Sequence, residues 1–286
     1  METSSRMLPA ATSLGPVALA VADLAAALGF YRDVLGFQVA RRSEDEIILC
    51  ATGSPSAVLI LSAAPGARRR PTAGLYHFAL LLPTRADLAR AVRHLIGAGA
   101  AIEGASDHGV SEAVYLHDPE GNGIELYADR PRERWPTRDG RLAMGTTALD
   151  LEDLLAQDAR PWEGMPQGTG IGHVHLRVAD LARSERFYAG VLGFQVTVRG
   201  YPGALFLSAG GYHHHIGLNI WAGTGIPPRD PQGPGLRYFT VRLPDRADAL
   251  AARRRLQAAG APVAEAGGPG GWLTQDPDGI GVLLAW

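Results

Sequence analysis

The chain's 286 residues carry 27 lysines and arginines against 29 aspartates and glutamates, a formal net charge of -2. That length predicts two domains of ordinary size, each able to bury a core, and the near-neutral charge with scattered basic residues leaves no electrostatic footprint for nucleic acid. The longest apolar runs are broken by Asp23 or stopped by Pro83, far short of the roughly 20 residues that span a bilayer. No membrane partner is expected, and the stretch METSSRMLPAATSLG shows no signal-peptide core. The one cysteine, Cys50, excludes internal disulfides and thiolate zinc clusters and fits a reducing cytoplasm. Any metal must then be held by His, Asp or Glu.

In chain order, a first unit (14–70) opens on VALAVADLAAALGFYRDVLGFQV from Val17. A second (74–130) opens on GLYHFALLLPTRADLARAVRHLIGAGA from Gly74 and closes on DPEGNGIELY. Residues 131–168, rich in Pro, Arg and Gly, join the halves, with LDLEDLLAQ as a short helix inside them. A third unit (171–230) holds VHLRVADLARSERFYAGVLGFQV from Val174, identical to the first at 15 of 23 positions. The fourth (235–286) begins GLRYFTVRLPDRADALAARRRLQAAGA, identical to the second at 14 of 27. The chain is a tandem duplication, of α+β class.

Each unit reads as an apolar strand, a helix and three short alternating strands separated by Gly, Asp and Pro. In the third, IGHVHLRV is the first strand and ADLARSERFYAGVLG the helix, with Leu181, Phe187, Tyr188, Val191 and Leu192 covering the sheet. FQVTVRG, GALFLSA and HHHIGLNIW complete it. The triplets Arg68 to Arg70 and Arg253 to Arg255 read as solvated surface. DPEGNG and DPDGIG read as turns, lacking the spaced carboxylates of a calcium loop.

Paired strand-helix-three-strand units, the opening VADL, FY and VLGF, and the closing DPEGNGIELY resemble the vicinal oxygen chelate superfamily over nearly the whole chain outside the linker. The two-module arrangement, 10–130 and 169–286, and YHHHIGLNIW after SAGG are most similar to the superfamily's bacterial catechol 2,3-dioxygenases. The resemblance implies paired units forming cup-shaped mixed sheets around a metal. It does not alone imply the chemistry, since the superfamily also holds glyoxalases, epimerases and metal-free binding proteins.

In the family pattern, one unit gives a ligand from its first strand, and its partner gives one from its first strand and a carboxylate from its last. The first-strand positions here are Pro16, His77, His173 and Tyr238; on the last strands, Glu125 of unit two matches Leu283 of unit four. Pairing units in chain order leaves two incomplete sites. Pairing unit two with unit three collects His77, His173 and Glu125, a facial triad suited to Fe(II), with Mn(II) accepted by the same donors. The units are therefore expected to exchange partners, leaving one and four as a scaffold without ligands.

The same resemblance implies an acid-base histidine on the strand of the histidine run. Strand alternation puts His213 and His215 on one face and His214 on the other, and His215 is the positional match. His108 and Tyr115 match a histidine and a tyrosine beside the family's metal, although their spacing is two residues shorter than in longer members. His175 shares a strand face with His173 and is a competing ligand, and Tyr212 and Trp221 are candidate walls. The expected function is extradiol cleavage of a catechol-type substrate by O2. A non-redox glyoxalase- or epimerase-like metalloenzyme is the alternative, disfavoured by the absence of a carboxylate near Leu218 and Asn219; a metal-free binding protein is another. Exposed sheet edges and the resemblance suggest a homo-oligomer.

Overall fold

The computed structural model describes residues 7–267 and 270–286. The first six residues of the stretch read for a leader lie outside them. The four units appear in order. Unit one comprises β1 (Ser13–Val21), α1 (Leu24–Gly29), β2 (Gln38–Arg42), β3 (Glu46–Cys50) and β4 (Ala57–Ala63); unit two comprises β5 (Gly74–Leu81), α2 (Arg85–Gly97), β6 (Gly104–Asp107), β7 (Ser111–His117) and β8 (Gly123–Asp129). The linker adds β9 (Thr137–Arg138), β10 (Arg141–Leu142), β11 (Thr147–Ala148) and α3 (Leu151–Ala156), the last where a short helix is expected. Unit three follows with β12 (Gly170–Arg177), α4 (Leu181–Glu185), β13 (Gln195–Val198), β14 (Ala204–Ser208) and β15 (Ile216–Asn219). Unit four closes with β16 (Gly235–Arg242), α5 (Arg246–Ala258), β17 (Val263–Glu265), β18 (Trp272–Gln275) and β19 (Gly281–Ala285). Among the described residues no helix is long and apolar enough to cross a membrane.

The recurring motifs have local physical causes. In each VADL the aspartate is a helix N-cap: Asp23 accepts from the backbone N–H groups of Ala25 and Ala26, and Asp180 from that of Arg183. In the even units Thr84 and Asp245 do the same for α2 and α5. A cap satisfies helix donors that have no partner within the helix. After one short α-helical turn, Phe30–Val34 and Arg186–Leu192 widen into π-helical turns, and Gly193, at φ 99°, ends the second in a left-handed conformation.

The sheets do not follow chain order. One has the order β17-β18-β19-β16-β1-β4-β3-β2, joining unit four to unit one; the other runs β11-β6-β7-β8-β5-β12-β15-β14-β13, joining unit two to unit three. At each centre two first strands meet antiparallel, β1 with β16 and β5 with β12. Each first strand also pairs in parallel with the last strand of its own unit. For β8 that parallel contact is very close: a Cβ on Gly123 would sit 2.3 Å from the Tyr76 carbonyl oxygen, and one on Gly281 would sit 2.3 Å from that of Arg237. Only glycine permits it.

The FY and DP motifs tie the two sheets together. The buried Tyr31 hydroxyl of unit one donates to Asp118 Oδ2 of unit two at 2.8 Å, and Tyr188 of unit three donates to Asp276 Oδ2 of unit four at 3.0 Å. The other oxygen of each aspartate accepts two backbone N–H groups of its own DP turn. Units adjacent in sequence lie in different sheets, so each tyrosine bridges the sheets and fixes a turn at once. A hydrogen bond to a buried charged acceptor is worth about 1.5–3 kcal/mol. Tyr31→Phe should therefore lower the unfolding free energy by about that amount in urea denaturation, with the far-ultraviolet circular dichroism of the native state unchanged.

Candidate metal centre

The junction of β5 and β12 sets the geometry of the site. Their register places His175 opposite His77 and His173 opposite Ala79, while the parallel β5–β8 ladder sets Ala79 beside Glu125. Ala79, fully buried, leaves room between the two larger side chains. Glu125 Oε2 lies 3.1 Å from His77 Nε2 and 3.2 Å from His173 Nε2. One donor atom from each of the three residues falls within 4.8 Å of the others, the one such group found among the described residues. All three are buried.

The electrostatics suit a cation. Burial alone would raise the Glu125 pKa, but His173 and His77 outweigh it and hold the carboxyl well below its usual range. Burial pulls His173 down to about 4 against the pull of Glu125, so its ring is neutral at pH 7, as a ligand must be. His77 Nε2 approaches the carboxylate without hydrogen-bond geometry and has no hydrogen-bond partner, whereas His173 Nε2 is hydrogen-bonded to Glu125 Oε2. An orphaned buried nitrogen costs about 1–3 kcal/mol. Donors on adjacent corners of an octahedron with bonds of about 2.1 Å lie about 3 Å apart, close to the two spacings observed. The residues fit a divalent ion.

A cavity of about 240 Å³ opens beside the triad, walled by Tyr76, Tyr201, Phe206 and Trp221. Two of the expected partners reach it together. His108 Nε2 accepts from the Tyr115 hydroxyl at 2.7 Å while its Nδ1 donates to the Gly145 carbonyl at 2.8 Å. Burial, then the Glu125 charge, drives the Tyr115 pKa far up, so the phenol keeps its proton. His175 also lines the cavity, buried and with its Nε2 lacking a hydrogen-bond partner, but stands outside the ligand group.

The histidine run departs from its expected phase. Regular strand begins only at Ile216; Gly210 and Gly211 lie at φ 61° and 65°, and the chain bends at His213 and His215. The alternation that assigned His215 to the metal side does not hold there. His214 instead lines the cavity, its ring centroid 4.0 Å from that of His173. His215 turns toward Tyr212 and Phe194 and accepts from the Ala209 N–H at 3.2 Å. His213 stands behind, its Nδ1 2.7 Å from His214 Nδ1 and its Nε2 2.9 Å from Asp129 Oδ1. Trp221 walls the cavity; Tyr212 does not, bonding Tyr127 and Asp129 instead.

Sequence reasoning also missed the linker's part. Met144, Gly145 and Thr146 line the cavity, held there by the two-residue ladder of β11 on β6, with Thr146 Oγ1 3.1 Å from the Tyr201 hydroxyl. Nothing in their residue types signals this. For His214 the signal was present in the GG pair, whose left-handed backbone delays the strand.

A model of the Glyoxalase/Bleomycin resistance protein/Dioxygenase superfamily matches residues 13–126 and 170–284. The chain belongs to this superfamily. This superfamily member is 48% identical, over 262 residues, to a protein of Bacillus subtilis (strain 168) named catechol-2,3-dioxygenase, covering 89% of this chain and 90% of the relative. Its fold is also that of a putative dioxygenase from Bacillus subtilis subsp. subtilis str. 168, with TM-score 0.66, 14% identity, and 96% and 84% of the two chains covered. Glyoxalase I from Zea mays gives TM-score 0.60 at 19% identity, with 96% and 92% covered.

The placement of His215 has a consequence for stability. Burial, with smaller repulsion from His213 and His173, lowers its pKa to about 3, whereas in the unfolded chain it titrates near 6.5. Between those values the unfolded state binds the extra proton, so its contribution to stability is full above about pH 6.5 and shrinks as pH falls. Relative to His215→Gln, the wild type should lose about 2 kcal/mol between pH 6.5 and 4.5, read from paired urea titrations.

Proposed function

We propose that this protein is an extradiol ring-cleaving dioxygenase that holds Fe(II) with His77, His173 and Glu125, between units two and three, and opens a catechol-type ring next to its hydroxyls. The observation that carries the reading is the buried two-histidine, one-carboxylate group, with the carboxylate 3.1 and 3.2 Å from the two ring nitrogens and His77 Nε2 without a hydrogen-bond partner. The catechol-2,3-dioxygenase relative supports the reaction class. Mn(II) suits the same donors. When bound, the metal supplies chelation of both catechol oxygens and a route for electrons between the ring and O2.

The chain's own residues have separable tasks. Asp129 accepts from His213 Nε2–H, so the tautomer of His213 with its proton on Nε2 presents a bare Nδ1 to the Nδ1–H of His214. That tautomer leaves His214 Nε2 as the base that takes a proton from the substrate hydroxyl and later returns one. Its pKa, held well below the usual value first by burial and then by the neighbouring imidazoles, keeps it neutral before substrate arrives. His214 thus takes the role that alternation gave to His215. Tyr115, its O–H held by His108 Nε2, presents its oxygen to accept from a substrate hydroxyl, and His108 steadies the phenol from behind. Tyr76, Phe206 and Trp221 pack on the ring and exclude water. The glyoxalase-like alternative would want a fourth protein ligand from β15, where Gly217 closes on the His175 ring and no carboxylate stands.

The test is oxygen uptake. Protein loaded anaerobically with Fe(II) should consume one O2 per catechol and give a yellow semialdehyde; no uptake with any of several catechols would defeat the reading. Glu125→Ala should abolish both activity and metal retention. His214→Asn should lower kcat by about 10²–10⁴-fold with metal content retained, whereas His215→Asn at pH 8 should change kcat less than about threefold, a contrast that reverses if alternation had been right.

A further inference from the structure

A second cavity, of about 540 Å³, is larger than the first and lies outside the catalytic site. It opens where the two sheets meet end to end: β5 begins there at Gly74, β12 ends at Arg177, β16 begins at Gly235, and the loop from Ile226 to Pro234 closes one side. Arg69, Arg70, Arg177 and Arg229 line it against a single acid, Asp230. Two members of the RRR triplet, read from sequence as plain solvated surface, therefore border a concavity.

The charge there is only partly neutralised, four guanidiniums facing one carboxylate. Arg69 donates to the Asn122 side-chain oxygen at 2.6 Å, Arg177 to the Leu75 carbonyl at 2.8 Å, and Arg229 to the Leu236 carbonyl at 2.5 Å. These acceptors are all uncharged; the one acid, Asp230, pairs with Arg70 at 3.7 Å and attracts Arg229. Burial lowers the pKa of Arg177 and of Arg229, and repulsion adds to it from Arg69 in one case and Arg237 in the other. Holding like charges together in a half-buried place is unfavourable unless an anion offsets them. A guanidinium has five N–H donors, and a carboxylate takes two of them in parallel. The remaining wall is apolar, from Pro71, Leu75, Ile226 and Pro234. A fully hydrated inorganic ion gains nothing from that wall, but a hydrocarbon body does.

We propose that this cavity binds a small organic carboxylate, with Arg69, Arg177 and Arg229 on its charged end and the Leu75, Ile226 and Pro234 wall against its hydrocarbon. Arg177 also lies over the Tyr76 ring, 5.0 Å from its centroid, so the bound anion sits one side chain away from the catalytic cavity. The proposal does not rest on the metal or on ring cleavage.

Calorimetric titration of the metal-free 286-residue chain with adipate tests it, with adipamide and inorganic phosphate as comparison ligands. Adipate should bind one per chain, and its Kd should rise about fivefold or more between 20 and 200 mM salt, because the attraction is screened. The pair Arg177→Gln with Arg229→Gln should weaken binding at least about tenfold. Arg69→Gln, an exposed change that leaves the core intact, should weaken it several-fold and decides the matter if the pair misfolds. His77→Ala should leave adipate binding unchanged, which separates this site from the triad. No saturable adipate binding, affinity indifferent to the arginine variants, or adipamide or phosphate binding as tightly as adipate would overturn the proposal.

Discussion

The site depends on the antiparallel pairing of β5 with β12, two first strands from opposite halves of the chain. That ladder fixes which residues face each other across the sheet centre. A slip of one residue would send His77 or His173 to the opposite face. A bulge between Ile171 and His173 is part of the register, and it recurs between Leu14 and Val17 of β1. Because the pairing joins distant halves, neither half can assemble the triad alone. The tyrosine–aspartate ties then lock the two sheets against each other, so the chain folds as an interlaced pair.

Within that frame the dominant local term is desolvation. Burial disfavours charge on every histidine near the triad whose pKa is displaced, and it would disfavour charge on Glu125 as well. Glu125 stays ionised only because two imidazoles face it. The result is one buried negative charge faced by two imidazole nitrogens, an arrangement poorly satisfied by hydrogen bonds and well suited to a cation. Asp129, at the partly exposed end of the His213–His214 line, orients that chain from outside the cavity.

Units one and four show the same scaffold without the donor-type side chains. Tyr238 pairs with Gly281 as His77 does with Gly123, and Thr240 pairs with Leu283 as Ala79 does with Glu125. Pro16 matches His173 in the repeat but lies unpaired in the β1 bulge, and its carbonyl accepts from Thr240 Oγ1 at 2.9 Å. The strand pairing survives because it needs only backbone hydrogen bonds and a glycine at the close approach. The two-histidine, one-carboxylate group does not, because it needs particular side chains at three points.

The sequence by itself determined the duplication, the order of elements, the N-caps in each VADL, and which units carry ligand-type residues, since these follow from local pattern and from comparing one half with the other. It also argued, by ligand count, that unit two should face unit three. Tertiary structure decided what local pattern cannot carry. The phase of the histidine run turned on two left-handed glycines and two bends, which moved His214 into the cavity and His215 out of it. The linker's Met144 to Thr146 reached the site through a two-residue ladder that leaves no mark in composition. Strand alternation is a rule about regular backbone, and it fails where the chain turns, which is where this site is completed.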